Sequence, residues 1–194
     1  MNGNPVARAV TPATRLFAIL CGWWLLGYSL LVCVDIVARR FFAFSLQGTD
    51  EIGGYTLAVV SAFGFAHALA TRRHTRIDLF INALPPRLRA LANATAAITI
   101  AILASFAASR GFAEASDSWM FNAVSTSPLQ TPIWLPQGLW VAGFSLFAIV
   151  AVVFALHAVW LAIVAPARAN AWYGPPTVAE EIAAEGGPMI EGKR

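Results

Sequence analysis

Residues 135–165 read LPQGLWVAGFSLFAIVAVVFALHAVWLAIVA, without one Asp, Glu, Lys or Arg. They lie inside a longer window, from Asp117 to Arg168, whose 50 residues are broken only by His157. A helix needs about 20 apolar residues to cross the hydrocarbon core, and one charge at its centre costs roughly 2.5–3.5 kcal/mol. The stretch therefore reads as a membrane span. As a helix it would be about 46 Å long, more than the roughly 30 Å core, so it must tilt or project. Pro136 stands where a helix start tolerates proline, and Pro166 stops the run.

The same spacing recurs upstream. There are 19 charge-free residues between Arg15 and Asp35, 20 between Glu51 and Arg72, and 20 between Arg89 and Arg110. The four windows predict spans over residues 16–38, 53–70, 91–109 and 135–165. The fold class is all-α integral membrane, in one small polytopic domain over residues 16–166. Residues 1–15 form a polar N-tail, and residues 167–194 read as a flexible C-tail. The chain is 58% hydrophobic over 194 residues, with a mean hydropathy of +0.66, more apolar surface than a soluble domain of this size hides. Net charge is +3, but the basic residues flank apolar spans, which fits membrane topology and not nucleic acid. The first apolar run is longer than a signal-peptide core and lacks a clear cleavage site, so it is expected to stay as the first span. Cys21 and Cys33 share a predicted helix about 18 Å apart, too far for a disulfide, and read as packing residues.

Lys and Arg set the orientation. The N-tail, the loop between spans two and three and the C-tail hold ten, against Arg39, Arg40 and Arg110 on the other side. The positive-inside rule places both termini in the cytoplasm. In the second loop, Thr75 and Asp78 resemble a capping box, and Ile77, Phe80 or Ile81, Leu84, Leu88 and Leu91 share a helical face. Residues 77–84 are expected to form a short amphipathic helix in the interface before span three.

The charges at the window edges are the candidate site residues. Asp35 and Arg39 have the favourable i,i+4 order for an ion pair. A self-satisfied pair at the membrane edge is the simpler reading, a contact to a partner subunit the sharper one. Thr49 is expected to cap span two, with Asp50 and Glu51 in its first turn, where the helix dipole favours acids. Either acid could pair with Arg39 or Arg40. Ala58, Ala62, Ala66 and Ala70 recur every four residues, as in closely packed membrane helices. They suit internal packing or a docking stripe equally. Trp119 and Trp134 flank a proline-containing loop and read as interfacial anchors. His67 and His157 allow one alternative, a cytochrome-b-like subunit with bis-histidine haem, though their depths match loosely. No nucleophile–base arrangement, phosphate loop or metal-ligand cluster occurs, so no enzyme, metal or cofactor is expected. Without polar groups at depth, the spans offer no path for a polar solute, and the chain reads as an accessory subunit.

These edges carry a family resemblance. Asp35 followed by Arg39-Arg40, then Gly48-Thr49-Asp50-Glu51, Phe63-Gly64-Phe65-Ala66-His67-Ala68-Leu69 and His74-Thr75-Arg76-Ile77-Asp78-Leu79 stand in order. With Ser127-Pro128-Leu129-Gln130-Thr131-Pro132-Ile133-Trp134-Leu135-Pro136-Gln137, the series resembles the small permease subunit of TRAP (tripartite ATP-independent periplasmic, DctQ-type) transporters. The resemblance covers about residues 16–165. It implies a scaffold without enzymatic activity, in the bacterial inner membrane. Its partners would be a large permease subunit that carries the substrate and sodium sites, and a periplasmic binding protein. Transport would be ion-gradient-driven uptake of a small organic solute, an organic acid. Asp35, Arg39, Arg40, Asp50, Glu51, His74 and Asp78 would fix helix ends and contacts to the large subunit or lipid. Arg110, Trp119 and Trp134 would be weaker candidates for the binding protein. Many members open span two with a tryptophan before paired acids; Gly48-Thr49 stands there instead.

Overall fold

A computed structural model describes residues 4–42, 44–72, 81 and 84–174. Among these residues five helices follow in order: α1 Pro5–Phe42, α2 Thr49–Ala70, α3 Pro86–Met120, α4 Trp134–Val164 and α5 Pro166–Tyr173. The first four are long and apolar enough to cross a membrane, and each covers one of the expected spans, the fourth ending one residue early at Val164. No strand occurs among the described residues, only an isolated bridge between Val124 and Pro132.

Each helix end has a local cause. Asn4 caps α1, its Oδ1 accepting from the amides of Val6 (3.1 Å) and Ala7 (3.4 Å), and Pro5 takes the first helical position. The helix thus begins in the segment expected to be a polar tail. Its first turns are anchored by Val6, Ala7 and Val10, which pack on the central core. Gly48, not Thr49, caps α2. Its φ of 85° suits glycine, and a side chain there would run into Leu129. Thr49 is already helical, and its hydroxyl donates to the Leu46 carbonyl at 2.7 Å instead. Pro166 ends α4 and starts α5. The residues just after Pro166, expected to open a flexible tail, are therefore helical through Tyr173.

α4 is the centre of the bundle. It packs against α3, α2 and α5, whereas α1 lies along α2 and barely reaches α4. Small residues make the close approaches: Ala90, Ala97, Ala101 and Ala104 on α3 meet Ala151, Ala155 and Ala158 on α4 in one buried cluster. Ala62, Ala66 and Ala70 are fully buried, so this part of the alanine stripe is taken up inside the chain, with Ala58 half-buried. Gly143 of α4 crosses there, where a Cβ would lie 2.8 Å from Ala62 Cβ. α1 is held differently. Phe17 stacks on Phe63 at 4.9 Å, and Trp24 Nε1 donates to Thr56 Oγ1 at 3.0 Å. No residue is buried in its most apolar stretch of 18.

Candidate functional site

The edge residues assemble two polar clusters at the end of the bundle where α1 meets α2. Asp35 is 3% exposed, and its carboxylate divides between two tasks. Oδ2 accepts from Arg39 Nε at 2.8 Å and lies 2.5 Å from an Arg39 terminal nitrogen, one helical turn on. Oδ1 accepts the backbone N–H of Leu46 at 2.7 Å. The ion pair expected from the i,i+4 spacing is present, and Asp35 also pins the α1–α2 loop. Tyr28 completes the fastening, its hydroxyl donating to the Thr49 carbonyl at 3.0 Å. A buried carboxylate near a membrane edge requires such full hydrogen bonding, because a lone charge there is costly.

Glu51 builds the second cluster, with partners other than Arg39 or Arg40. Tyr55, one turn along α2, donates its hydroxyl to Oε1 at 2.7 Å, and Ser127 Oγ donates to Oε2. Ser127 belongs to the loop between α3 and α4. That loop is a small hairpin, with Ser125 N–H donating to the Thr131 carbonyl at 2.9 Å and Ile133 N–H to the Ala123 carbonyl at 3.0 Å. Trp119 and Trp134 meet edge to face at 4.5 Å across its base. Leu129 at its tip rests against Gly48. Glu51 therefore ties a loop more than 70 residues away to the start of α2 (the Glu51–Ser127 separation is 76). Sequence spacing carries no signal for such a contact. Replacing Glu51 by Ala is expected to free the hairpin, read as faster amide hydrogen exchange over residues 123–131 at unchanged helix content. Glu51→Gln, which keeps one acceptor oxygen, should fall between. Unchanged protection in Glu51→Ala would remove Glu51 as the tether.

The remaining site residues are placed as follows. Arg40, Asp50 and Arg110 are exposed and make no ion pair among the described residues. Trp119 is 61% exposed and Trp134 half-buried. His74, Asp78 and the expected interfacial helix, apart from Ile81 and Leu84, lie outside the described residues.

The opposite end carries a third cluster that the sequence reading missed. Arg72 reaches the carbonyl oxygens of Ala171 (3.3 Å) and Gly174. Asn93, 1% exposed, donates to Asn170 Oδ1 at 3.1 Å, and Asn170 donates to the Pro86 carbonyl at 2.8 Å. Tyr173 OH lies 2.6 Å from His157 Nδ1, and burial pushes the Tyr173 phenol up in pKa. Together these contacts hold α5 under α3 and α4. They also account for the histidines. His157 stacks between Trp160 and Trp172, while His67 Nδ1 lies 3.4 Å from Thr14 Oγ1 on α1. The two rings face different neighbours, and the bis-histidine haem alternative has no support.

The order of these edges now has an outside counterpart. The family model described as tripartite ATP-independent periplasmic transporters, DctQ component, matches residues 28–162. The chain belongs to this family. The match takes in Asp35, Arg39, Arg40, Asp50, Glu51, the alanine stripe and the hairpin. No curated protein and no solved structure matches the chain. As a DctQ component it is the small membrane subunit of a TRAP transporter. α5 itself lies beyond the matched region, although Arg72, Pro86, Asn93 and His157, which hold it, lie within it.

Proposed function

We propose that this DctQ component scaffolds a large membrane subunit that moves the solute, and has no enzymatic activity. The supporting observation is α1. It is held along one side by α2 and turns Leu30, Val34, Ile36 and Phe41 outward, each at least 60% exposed. α1 and α4 splay on either side of α2, leaving an apolar cleft of about 990 Å³ walled by Phe17, Trp24, Val60, Phe63 and Leu139. Asp35 and Glu51 fasten loops near the helix ends, and the charge-free windows leave mid-depth apolar. Such a wall supports transport by a neighbour and lacks the hydrogen-bonding lining of a solute path.

In this reading the chain lies in the bacterial inner membrane with both termini cytoplasmic, as its Lys and Arg distribution favours. The Asp35 and Glu51 clusters then face the periplasm. Arg110, Trp119 and Trp134 stand on that side, available to a periplasmic binding protein. Uptake is driven by an ion gradient, and the solute is a small organic acid; family membership supports both points. His74 and Asp78 would contribute to contacts with the large subunit or lipid.

Affinity purification of the tagged full chain from native membranes tests the reading. A large multispan protein should co-purify, and deletion of the chain should abolish uptake of the organic acid while that large protein is still made. A chain recovered alone, with uptake intact in the deletion strain, would defeat it.

A further inference from the structure

A cleft of about 530 Å³ opens between α1 and the start of α2, and two charged residues lining it, Arg40 and Asp50, make no hydrogen bond or ion pair among the described residues. Asp35, Arg39, Arg40 and Asp50 all line it, and their charges sum to zero. Asp35 and Arg39 neutralise each other at 2.5 Å. Arg40 and Asp50 are left: both are exposed, and neither makes a hydrogen bond or ion pair among the described residues. The Asp50 charge helps hold Arg39 protonated without an ion pair between them. Val32, Ile36 and Arg40 follow one another at four-residue steps on α1, so they share a face. Ile36 is 60% exposed and Val32 half-buried. The face thus runs from an apolar wall to a free guanidinium, with a free carboxylate opposite on α2.

We propose that this cleft seats a phospholipid with an ethanolamine headgroup, its phosphate on Arg40, its ammonium on Asp50 and an acyl chain along Val32 and Ile36. A guanidinium is the preferred partner of phosphate, and charge-assisted hydrogen bonds are the strong ones. A primary ammonium supplies three donors to a carboxylate, whereas a choline headgroup supplies none. A glycerol headgroup has no cation, and would set a net negative lipid against Asp50. The neutral lining therefore selects a neutral ligand carrying both charges. The apolar wall selects a lipid over a soluble zwitterion, because a free headgroup leaves that wall in water.

The full chain, purified from membranes and equilibrated in nanodiscs of equal phosphatidylethanolamine, phosphatidylglycerol and phosphatidylcholine, tests this by native mass spectrometry of retained lipid. Wild type should retain phosphatidylethanolamine roughly tenfold over the other two, equivalent to about 1.4 kcal/mol. Arg40→Gln should lower retention of phosphatidylethanolamine and phosphatidylglycerol together, and Arg40→Lys should restore most of it. Asp50→Asn should erase the preference for the ethanolamine lipid while leaving total retention in place. Both side chains are exposed and make no hydrogen bond or ion pair among the described residues, so helix content and elution volume of the variants should match wild type. Equal retention of the three lipids by wild type, a preference for phosphatidylglycerol, or a preference that survives Arg40→Gln and Asp50→Asn would overturn the proposal. So would loss of a co-purifying protein in Arg40→Gln at unchanged lipid retention, which would give the cleft to a protein partner.

Discussion

Asp35→Ala is expected to be the most damaging single substitution at the α1–α2 end, lowering the thermal unfolding midpoint in detergent by several degrees and sharply reducing recovery of assembled complex. Three consequences combine. Arg39 loses its counter-charge at the bilayer edge, the Leu46 N–H loses its acceptor, and the loop that enters α2 loses its anchor. The damage should fractionate across variants. Asp35→Asn keeps an acceptor for Leu46 but not the charge, and should be intermediate. Arg39→Ala should be milder than Asp35→Ala, because the Arg39 side chain is 49% exposed and water screens its pairing. Recovery and unfolding midpoints of the three variants in one detergent check the order. If Asp35→Asn behaves as wild type, the ion pair contributes nothing and the loop contact is the whole role. If Arg39→Ala is as harmful as Asp35→Ala, the role of the Leu46 contact is refuted.

Gly143→Leu is expected to break the central helix contact. A Cβ at Gly143 would lie 2.8 Å from Ala62 Cβ and 3.1 Å from the Phe63 backbone nitrogen. The obstruction is backbone and a Cβ, neither of which can rotate away, so α2 and α4 must separate. Overpacking of a tight core costs about 1–3 kcal/mol, occasionally more. Here the displaced helix also carries Gly48, Thr49 and Glu51, so the loop contacts should loosen with it. Gly143→Ala should show a smaller version of the same loss. The outward-facing position beside it offers a control: Ala142→Leu should be tolerated, since residue 142 is exposed. Equal midpoints for Gly143→Leu and Ala142→Leu would show that α4 does not need the glycine to approach α2.

Asp35 and Glu51 show how far sequence spacing reaches. The Asp35–Arg39 pair was legible because four residues on a helix are one turn, a local rule. The partner of the other Asp35 oxygen was not, since it depends on the path of a loop eleven residues away. Glu51 was legible as an acid at a helix start, where the dipole favours it. Its hold on Ser127 follows from the way α3 and α4 return their connecting hairpin to α2. The alanine stripe could not declare its partner either, because small residues suit an internal neighbour and an external one equally. Packing against Gly143 decided it for Ala62. The α5 cluster escaped for a related reason. ARANAWY carries little apolar periodicity, and its helix is held by Asn93, Pro86, Arg72 and His157 from elsewhere in the chain.

The number of spans, their helical state and the sites of the charges follow from the order of residues alone. Hydrocarbon excludes charge and leaves a backbone no partners but its own, so window length and composition suffice for these. Tertiary packing settled what each edge residue holds: Asp35 a loop, Glu51 a hairpin and Ala62 a neighbouring helix, while Arg40 and Asp50 make no ion pair among the described residues. Hydropathy is blind to such choices, because they depend on how helices cross and where loops return, which side-chain packing sets.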